Sequence, residues 1–443
     1  MTGVWTAARP DDTIGKTAYV NARLIDPASG LDSDGGLLTS GEIISEVGPD
    51  VFKNGPPKDA EVIDCAGKCL IPGLVDIRVQ IREPGQENKG TIESAGRSAT
   101  AGGVTTLVCL PNTKPVISGM SQVEFVARRA RKIGLSKIYP YAAATEELEG
   151  KELTEMGILA QAGAMGFTDG DRAIANANVM RRALSYAKTF GLLIIQHPEE
   201  PTLASSGGMN SGELATRLGL PGIPSAAEII MVERDIRLVE MTGGRLHFGH
   251  VSTGVAIEAI RQAKARGLQI TCDTAPPYFA LNETSVGEYR TYAKLSPPLR
   301  SEDDRLAVVE GIKDGTIDAI ASDHAPHDED SKRLPFMQAA FGGVGLETLL
   351  AVSLDLYHNG QMSLIEVLAK VTSAPANLLG LPAGRLAKGA AADLTIIDPG
   401  AGWQVKDNDL SSKAKNTPFD GRPVQGKVLR TIIDGRSVYR QKD

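Results

Sequence analysis

Residues 70–90 read LIPGLVDIRVQIREPGQENKG, and the fold of the chain turns on how they are understood. An apolar lead is followed by polar side chains at every second position. Alternate residues of a strand face the same way, so Asp76, Arg78 and Gln80 share one face. This is the layout of a strand that carries metal ligands, yet arginine and glutamine stand where histidines would bind. Arginine stays protonated and has no lone pair to give, and a glutamine oxygen is a poor ligand for zinc. The layout and the side chains point in different directions.

From residue 71 onward, short apolar runs alternate with helix-period segments, the pattern of a parallel α/β fold. Eight runs appear: GLVDIRVQ, VTTLVCLPNT, KIYPYAAATEE, GAMGFTDG, GLLIIQHPEE, RLHFGHVST, LQITCDTAPP and IDAIASDHAPH. Segments such as SQVEFVARRARKIG and AAEIIMVERDIRLVEMTGG lie between them and close on glycine, which takes the left-handed conformation that ends a helix. Eight strand–helix units predict a (β/α)8 barrel over residues 71–384 rather than an open doubly wound sheet. No GxGxxG or GxxxxGK[ST] follows a strand, which removes the sequence support for a nucleotide site. The flanks differ. Short alternating strands bounded by Gly, Asp and Pro predict that residues 14–70 and 385–443 form one small β-sandwich domain from both ends of the chain, with 400–425 a loop packing back toward the barrel.

Composition sets the class. The 443 residues are 42% hydrophobic and 23% charged, ordinary for a globular protein. Lys+Arg 47 against Asp+Glu 54 gives a net charge of −7, so nothing electrostatic favours nucleic acid. No apolar run reaches the roughly 20 residues that span a bilayer, and the N-terminus has no basic region before an apolar core. Cys65, Cys69, Cys109 and Cys272 form no CxxC pair and read as reduced thiols, which makes the cytoplasm the expected compartment.

Active sites of such barrels lie at the C-terminal strand ends. There the sequence places Asp169 after the fourth run, His197 after the fifth, His250 after the sixth and Asp323 after the eighth. Two imidazoles and a carboxylate at one mouth can hold Zn²⁺ and leave a position open for water. A further carboxylate can take the proton of that water. His247, an odd three residues from His250, reads as structural.

These residues resemble the class I dihydroorotases of the cyclic amidohydrolases. The resemblance runs through PGLVDIRVQIREPGQENKGTIESAGRSATAGGVTTLVCLPNTKPV and returns at GHVST, SDHAPH, FGGVGLET and GRLAKGAAADLTIIDP. It implies interconversion of carbamoyl aspartate and dihydroorotate in pyrimidine synthesis. It implies metal ligands at Asp169, His197 and His250, a general acid/base at Asp323, and contacts to a substrate carboxylate from Arg82, Asn112 and His327. A guanidinium fork suits a carboxylate at Arg82. Glu347 in GLET reads as structural.

The chain departs from the family at Arg78 and Gln80, where the family's HxH pair binds the first metal. It departs again at Ser296 in KLSPPLR, where an asparagine is usual, and in DTAPPYF, where a histidine-containing stretch is usual. The expectation is zero or one zinc ion per chain. The main reading is a dihydroorotase homologue impaired in catalysis. Homologues lacking HxH are companions of aspartate transcarbamoylase, so resemblance implies that partner, and a homo-oligomer is expected as well. An active one-metal dihydroorotase, and a binding protein for a small cyclic amide or carboxylate, are the alternatives.

Overall fold

Parallel strands covered on both faces read as continuous apolar runs, and the eight runs fold that way. The computed structural model describes residues 3–6 and 14–442. Its barrel strands are β1 (Leu74–Val79), β2 (Val104–Cys109), β3 (Lys137–Pro140), β4 (Phe167–Thr168), β5 (Leu193–Gln196), β6 (Arg245–Phe248), β7 (Ile270–Thr274) and β8 (Ala319–Ile320). All six positions of both β1 and β2 are buried. Parallel ladders join β1 to β3 and β4 to β8. A bridge between Ala142 and Phe167 connects the two groups, and a bridge between Val79 and His324 closes the last strand on the first.

The helices end as their glycines require. Met120–Ile133 stops at Gly134 (φ 67°), whose N–H donates to the Ala130 carbonyl, and Ala226–Thr242 stops at Gly243 in the same way. The left-handed region is open to glycine at little cost. Each helix thus turns back to the next strand within a few residues.

Both ends of the chain meet in one nine-stranded sheet. Cys69–Pro72 pairs antiparallel with Leu394–Gln404 and parallel with Lys16–Asp26, which knits the N-terminal flank to the C-terminal one. Leu24, Leu37, Ile44, Leu70 and Ile432 are among the side chains of its own core. Lys137 at the start of β3 reaches Asp393 (2.8 Å) and Asp434 (2.6 Å), tying the barrel floor to this domain. The loop expected over 400–425 is shorter, covering 405–422. Gly402–Gln404 and Pro423–Gln425 still pair, so the hairpin strands outrun the apolar pattern that marks them. All four cysteines are buried free thiols.

Gly102, after helix Ile92–Ala101, has an ordinary φ of −86°, but a Cβ there would lie 2.0 Å from the Leu346 carbonyl oxygen. Backbone cannot yield as a flexible side chain can. Gly102→Ala is expected to destabilise the protein by about 1–3 kcal/mol, seen as a lower urea midpoint with an unchanged slope.

Candidate functional site

Arg78 leaves β1 pointing into the mouth and is 2% exposed. Its Nε donates to Asp323 Oδ1 (3.1 Å), and its Nη2 donates to the Gly170 carbonyl (3.2 Å) and to His250 Nε2 (2.9 Å). A guanidinium only donates, so His250 Nε2 is an acceptor. His250 Nδ1–H then donates to Asp323 Oδ2 (3.1 Å), and His197 Nδ1–H donates to His250 Nε2 (2.7 Å). His197 Nε2 in turn lies 3.6 Å from Glu199 Oε1. The Arg78 guanidinium thus sets the tautomer of His250 and, through it, the donor role of His197 Nδ1.

The electrostatics follow. Burial, then the positive charge of Arg78, pulls the His250 imidazole down to about 4, so it is neutral. Burial opposes ionisation of Asp323, yet His250 and Arg78 outweigh it and hold the carboxyl below its ordinary value. Beneath them Asp76, fully buried, is pushed up to about 7 by burial against donors from Ser322 and Arg78. Among the described residues its Oδ2 has no hydrogen-bond partner, and neither has Gln80 Oε1.

Do these residues fit a metal? His197 Nδ1 and His250 Nε2 converge, but the one lone pair of His250 Nε2 is shared by Arg78 Nη2 and the His197 Nδ1–H. Asp169, expected to complete the set, turns its carboxylate to the Thr145 N–H (2.9 Å) and hydroxyl (2.5 Å). Burial raises its carboxyl above the ordinary value against those donors. Among the described residues no group of three or more His, Cys, Asp or Glu side chains is placed to hold an ion. The arrangement does not fit a resident metal. The mouth brings together two of the three expected ligands and puts a guanidinium at their meeting point.

Of the residues expected to meet a carboxylate, Arg82 lies against His327 and shares a cavity with Asn112. Arg82 Nη2 lies 3.1 Å from His327 Nε2, and Arg82 Nε donates to the Pro326 carbonyl (3.0 Å). Burial draws Arg82 down to about 10 and His327 to about 3, which leaves a cation beside a neutral imidazole. Arg82 and Asn112 line a cavity of about 460 Å³. A neighbouring cavity of about 670 Å³ is lined by His197 and Glu199, and the two share Leu148, Asp171 and Arg172.

His247 is structural as expected, bonded to Asp273 and Thr271 at 2.9 Å each. Glu347 accepts from Ser98, Ser411 and Ser412. Ser296 donates to Glu199 Oε1 (3.2 Å), and the ring of Tyr278 in DTAPPYF stands nearly perpendicular to that of His250. Sequence reading missed Thr145, Glu199 and Glu228. Glu199 stands two residues beyond His197, a usable signal. Glu228 accepts from the backbone and hydroxyls of Ser252 and Thr253 and so fixes the turn that carries His250. It sits on a helix, where nothing in the sequence marks its inward role.

Residues 67–255 match the family described as Dihydro-orotase-like, and residues 240–439 match the Amidohydrolase family. The dihydroorotase of Wolbachia sp. subsp. Drosophila simulans (strain wRi) is 47% identical over 100% of both chains. That of Anaplasma phagocytophilum (strain HZ) is 49% identical over 96% of this chain and 95% of its own. Among solved structures, the L-hydantoinase (dihydropyrimidinase) from Arthrobacter aurescens superposes with a TM-score of 0.86 at 25% identity over 97% of each chain. A dihydropyrimidinase from Brevibacillus agri NCHU1002 gives 0.83 at 22% identity over 97% of this chain and 96% of its own. The fold is the (β/α)8 barrel of the amidohydrolase type with a β-sandwich domain made from both ends of the chain.

Two outcomes are expected at this mouth. Arg78→Ala leaves Asp323 facing a buried void and should cost about 3 kcal/mol, measured by urea unfolding, unless an added divalent ion takes the vacated place. His250 has a folded value of about 4, below the roughly 6.5 of an unfolded histidine. The unfolded chain therefore binds this proton first. Its contribution to stability is complete above about pH 6.5 and is lost as pH falls toward 4. Between pH 7.5 and 5.5 the wild type should lose about 1 kcal/mol more than His250→Gln; equal losses would contradict a buried neutral imidazole.

Proposed function

The chain belongs to the dihydroorotase-like family, and from that premise we propose that it is a dihydroorotase-type protein of pyrimidine biosynthesis with impaired catalysis, kept as a structural companion of aspartate transcarbamoylase. The observation that carries this reading is the Arg78 guanidinium bonded to both Asp323 and His250. Opening a cyclic amide takes an activated water and a polarised carbonyl. Asp323 is the carboxylate that resemblance gives the proton transfer. Both of its oxygens are occupied, Oδ1 by Arg78 and Oδ2 by His250, and those cationic and donor contacts lower its basicity. A base so engaged abstracts protons poorly.

The same reading puts zinc at zero or one ion per chain, places the protein in the cytoplasm and expects it to self-associate. Among the described residues no helix is long and apolar enough to cross a membrane. A second reading is an active one-metal dihydroorotase interconverting carbamoyl aspartate and dihydroorotate. It is favoured by relatives named dihydroorotase that match at 47–49% identity over nearly the whole chain. It requires Arg78 to release His250.

Turnover decides between them. The full-length chain, reconstituted with zinc, is assayed for dihydroorotate hydrolysis and its metal content is measured on the same sample. The companion reading expects a rate at least about a hundredfold below the roughly 1 per second at the low end of typical enzymes, and no more than one zinc. An ordinary rate with one tightly held zinc gives the answer to the second reading, and two zinc ions sink both. Size-exclusion chromatography of the chain co-expressed with aspartate transcarbamoylase is expected to show one complex; separate elution at micromolar concentration removes the companion role.

A further inference from the structure

The loop over residues 405–422 leaves the small-domain sheet and runs to the barrel mouth. It is anchored twice. Glu347 accepts the N–H groups of Ser411 (2.8 Å) and Ser412 (2.9 Å), and Val344 packs with Leu410 and Ala414. Farther along, Asn416 is 2% exposed and all of its polar side-chain atoms are engaged. Its Nδ2 donates to the Ala325 carbonyl (3.1 Å) and the Gly342 carbonyl (3.0 Å), and its Oδ1 accepts the His327 N–H (3.2 Å). The Asn416 carbonyl accepts the Val344 N–H (3.1 Å). The approach is close enough that a Cβ on Gly343 would meet Pro418 at 2.8 Å.

The tripeptide held in this way, residues 325–327, is the one that aims Arg82. Pro326 offers its carbonyl to Nε, and His327 offers Nε2 to Nη2. The Arg82 backbone is strained, with a φ of +64° that side-chain-bearing residues rarely adopt, and its guanidinium is held by the two contacts to Pro326 and His327. Among the described residues no carboxylate lies within ion-pair distance of it. Its direction is therefore set from the 325–327 turn, and the turn is set by Asn416.

We infer that Asn416 is a positioning residue, through which the small domain orients the Arg82 guanidinium toward a ligand carboxylate. This rests on the reading of the mouth as a dihydroorotase-type site. Losing a bidentate fork's alignment costs affinity without removing its charge, and that separates positioning from simple electrostatics.

The test is a double-mutant cycle on the full chain, with L-dihydroorotate binding followed by calorimetry in wild type, Asn416→Ala, Arg82→Met and the double variant. Asn416→Ala is expected to weaken binding about tenfold and Arg82→Met about a hundredfold. The double variant should match Arg82→Met within about twofold, because an arginine that is gone cannot be misaligned. Wild-type affinity in Asn416→Ala, or losses that multiply in the double variant, overturns the inference. Absence of wild-type binding is a failure of the carboxylate reading instead. Hydrogen exchange at residues 325–328, measured without ligand, then decides the positioning claim: Asn416→Ala should speed it about tenfold or more, and unchanged exchange overturns it. Should Asn416→Ala not fold, Asn416→Asp, which keeps the shape and the acceptor but loses both donations, replaces it in each arm.

Discussion

A buried guanidinium persists only where its charge and its donors are both met, and the barrel mouth is organised around meeting those of Arg78. Asp323 supplies the countercharge, while the Gly170 carbonyl and His250 Nε2 take the remaining directed contacts. The tautomer of His250 follows from this, and through it the donor role of His197. A metal at the same point would need that same lone pair at His250 Nε2. Guanidinium and metal are thus mutually exclusive occupants of one place, and the side chain has the advantage of being tethered there.

The surrounding backbone is strained in a way that needs support. Arg82 (φ 64°), His250 (φ 42°) and Asp323 (φ 51°) all sit in the left-handed region, at a cost of order 1–3 kcal/mol each. Each is held by identifiable bonds. The His250 N–H donates to Asp273 at 2.6 Å, and the following turn is clamped by Glu228. Arg82 leans on the 325–327 turn. Asp323 is gripped from both sides by Arg78 and His250. Strain of this kind lasts only where neighbours over-determine it, so the mouth remains a preorganised arrangement even with a different occupant.

The eight strands were legible because parallel strands buried on both faces leave unbroken apolar runs, and the helices because glycine ends them at Gly134 and Gly243. The mouth residues were legible because strand ends are where a barrel puts its chemistry. Alternation in β1 correctly aimed Arg78 inward with Asp76. What could not be read was direction at the side-chain tips. Asp169 was expected beside His197 and His250, but a threonine from another loop, Thr145, offers it two donors at short range. Asn416 was invisible for a related reason: its partners are more than seventy residues away, and an asparagine in a polar loop looks like any other. Long-range hydrogen bonds leave no periodicity in a sequence.

A barrel must be sealed where its last strand meets its first, and here the seal is thin. β8 spans only Ala319–Ile320, and among the described residues the backbone pairing of the segment after it with β1 is one bridge between Val79 and His324, with the Gln80 N–H donating to the His324 carbonyl at 2.8 Å. Two further polar contacts precede that bridge on both segments. Asp76 Oδ1 accepts the Ser322 N–H across the seam at 3.1 Å, and Arg78 reaches Asp323 at the same distance. An isolated buried ion pair contributes little net stability compared with apolar packing, so burial energy alone is a weak reason for this one. Its value is in registry. Arg78 and Asp323 adjoin the bridging residues on the two strands, and a slip of one residue would turn Arg78 toward the helical shell and leave Asp323 without a countercharge. The pair that occupies the mouth therefore also specifies how the barrel closes. A chain with no metal at this point still needs a charge there, because the carboxylate at the end of β8 lies at the seam as well as in the site.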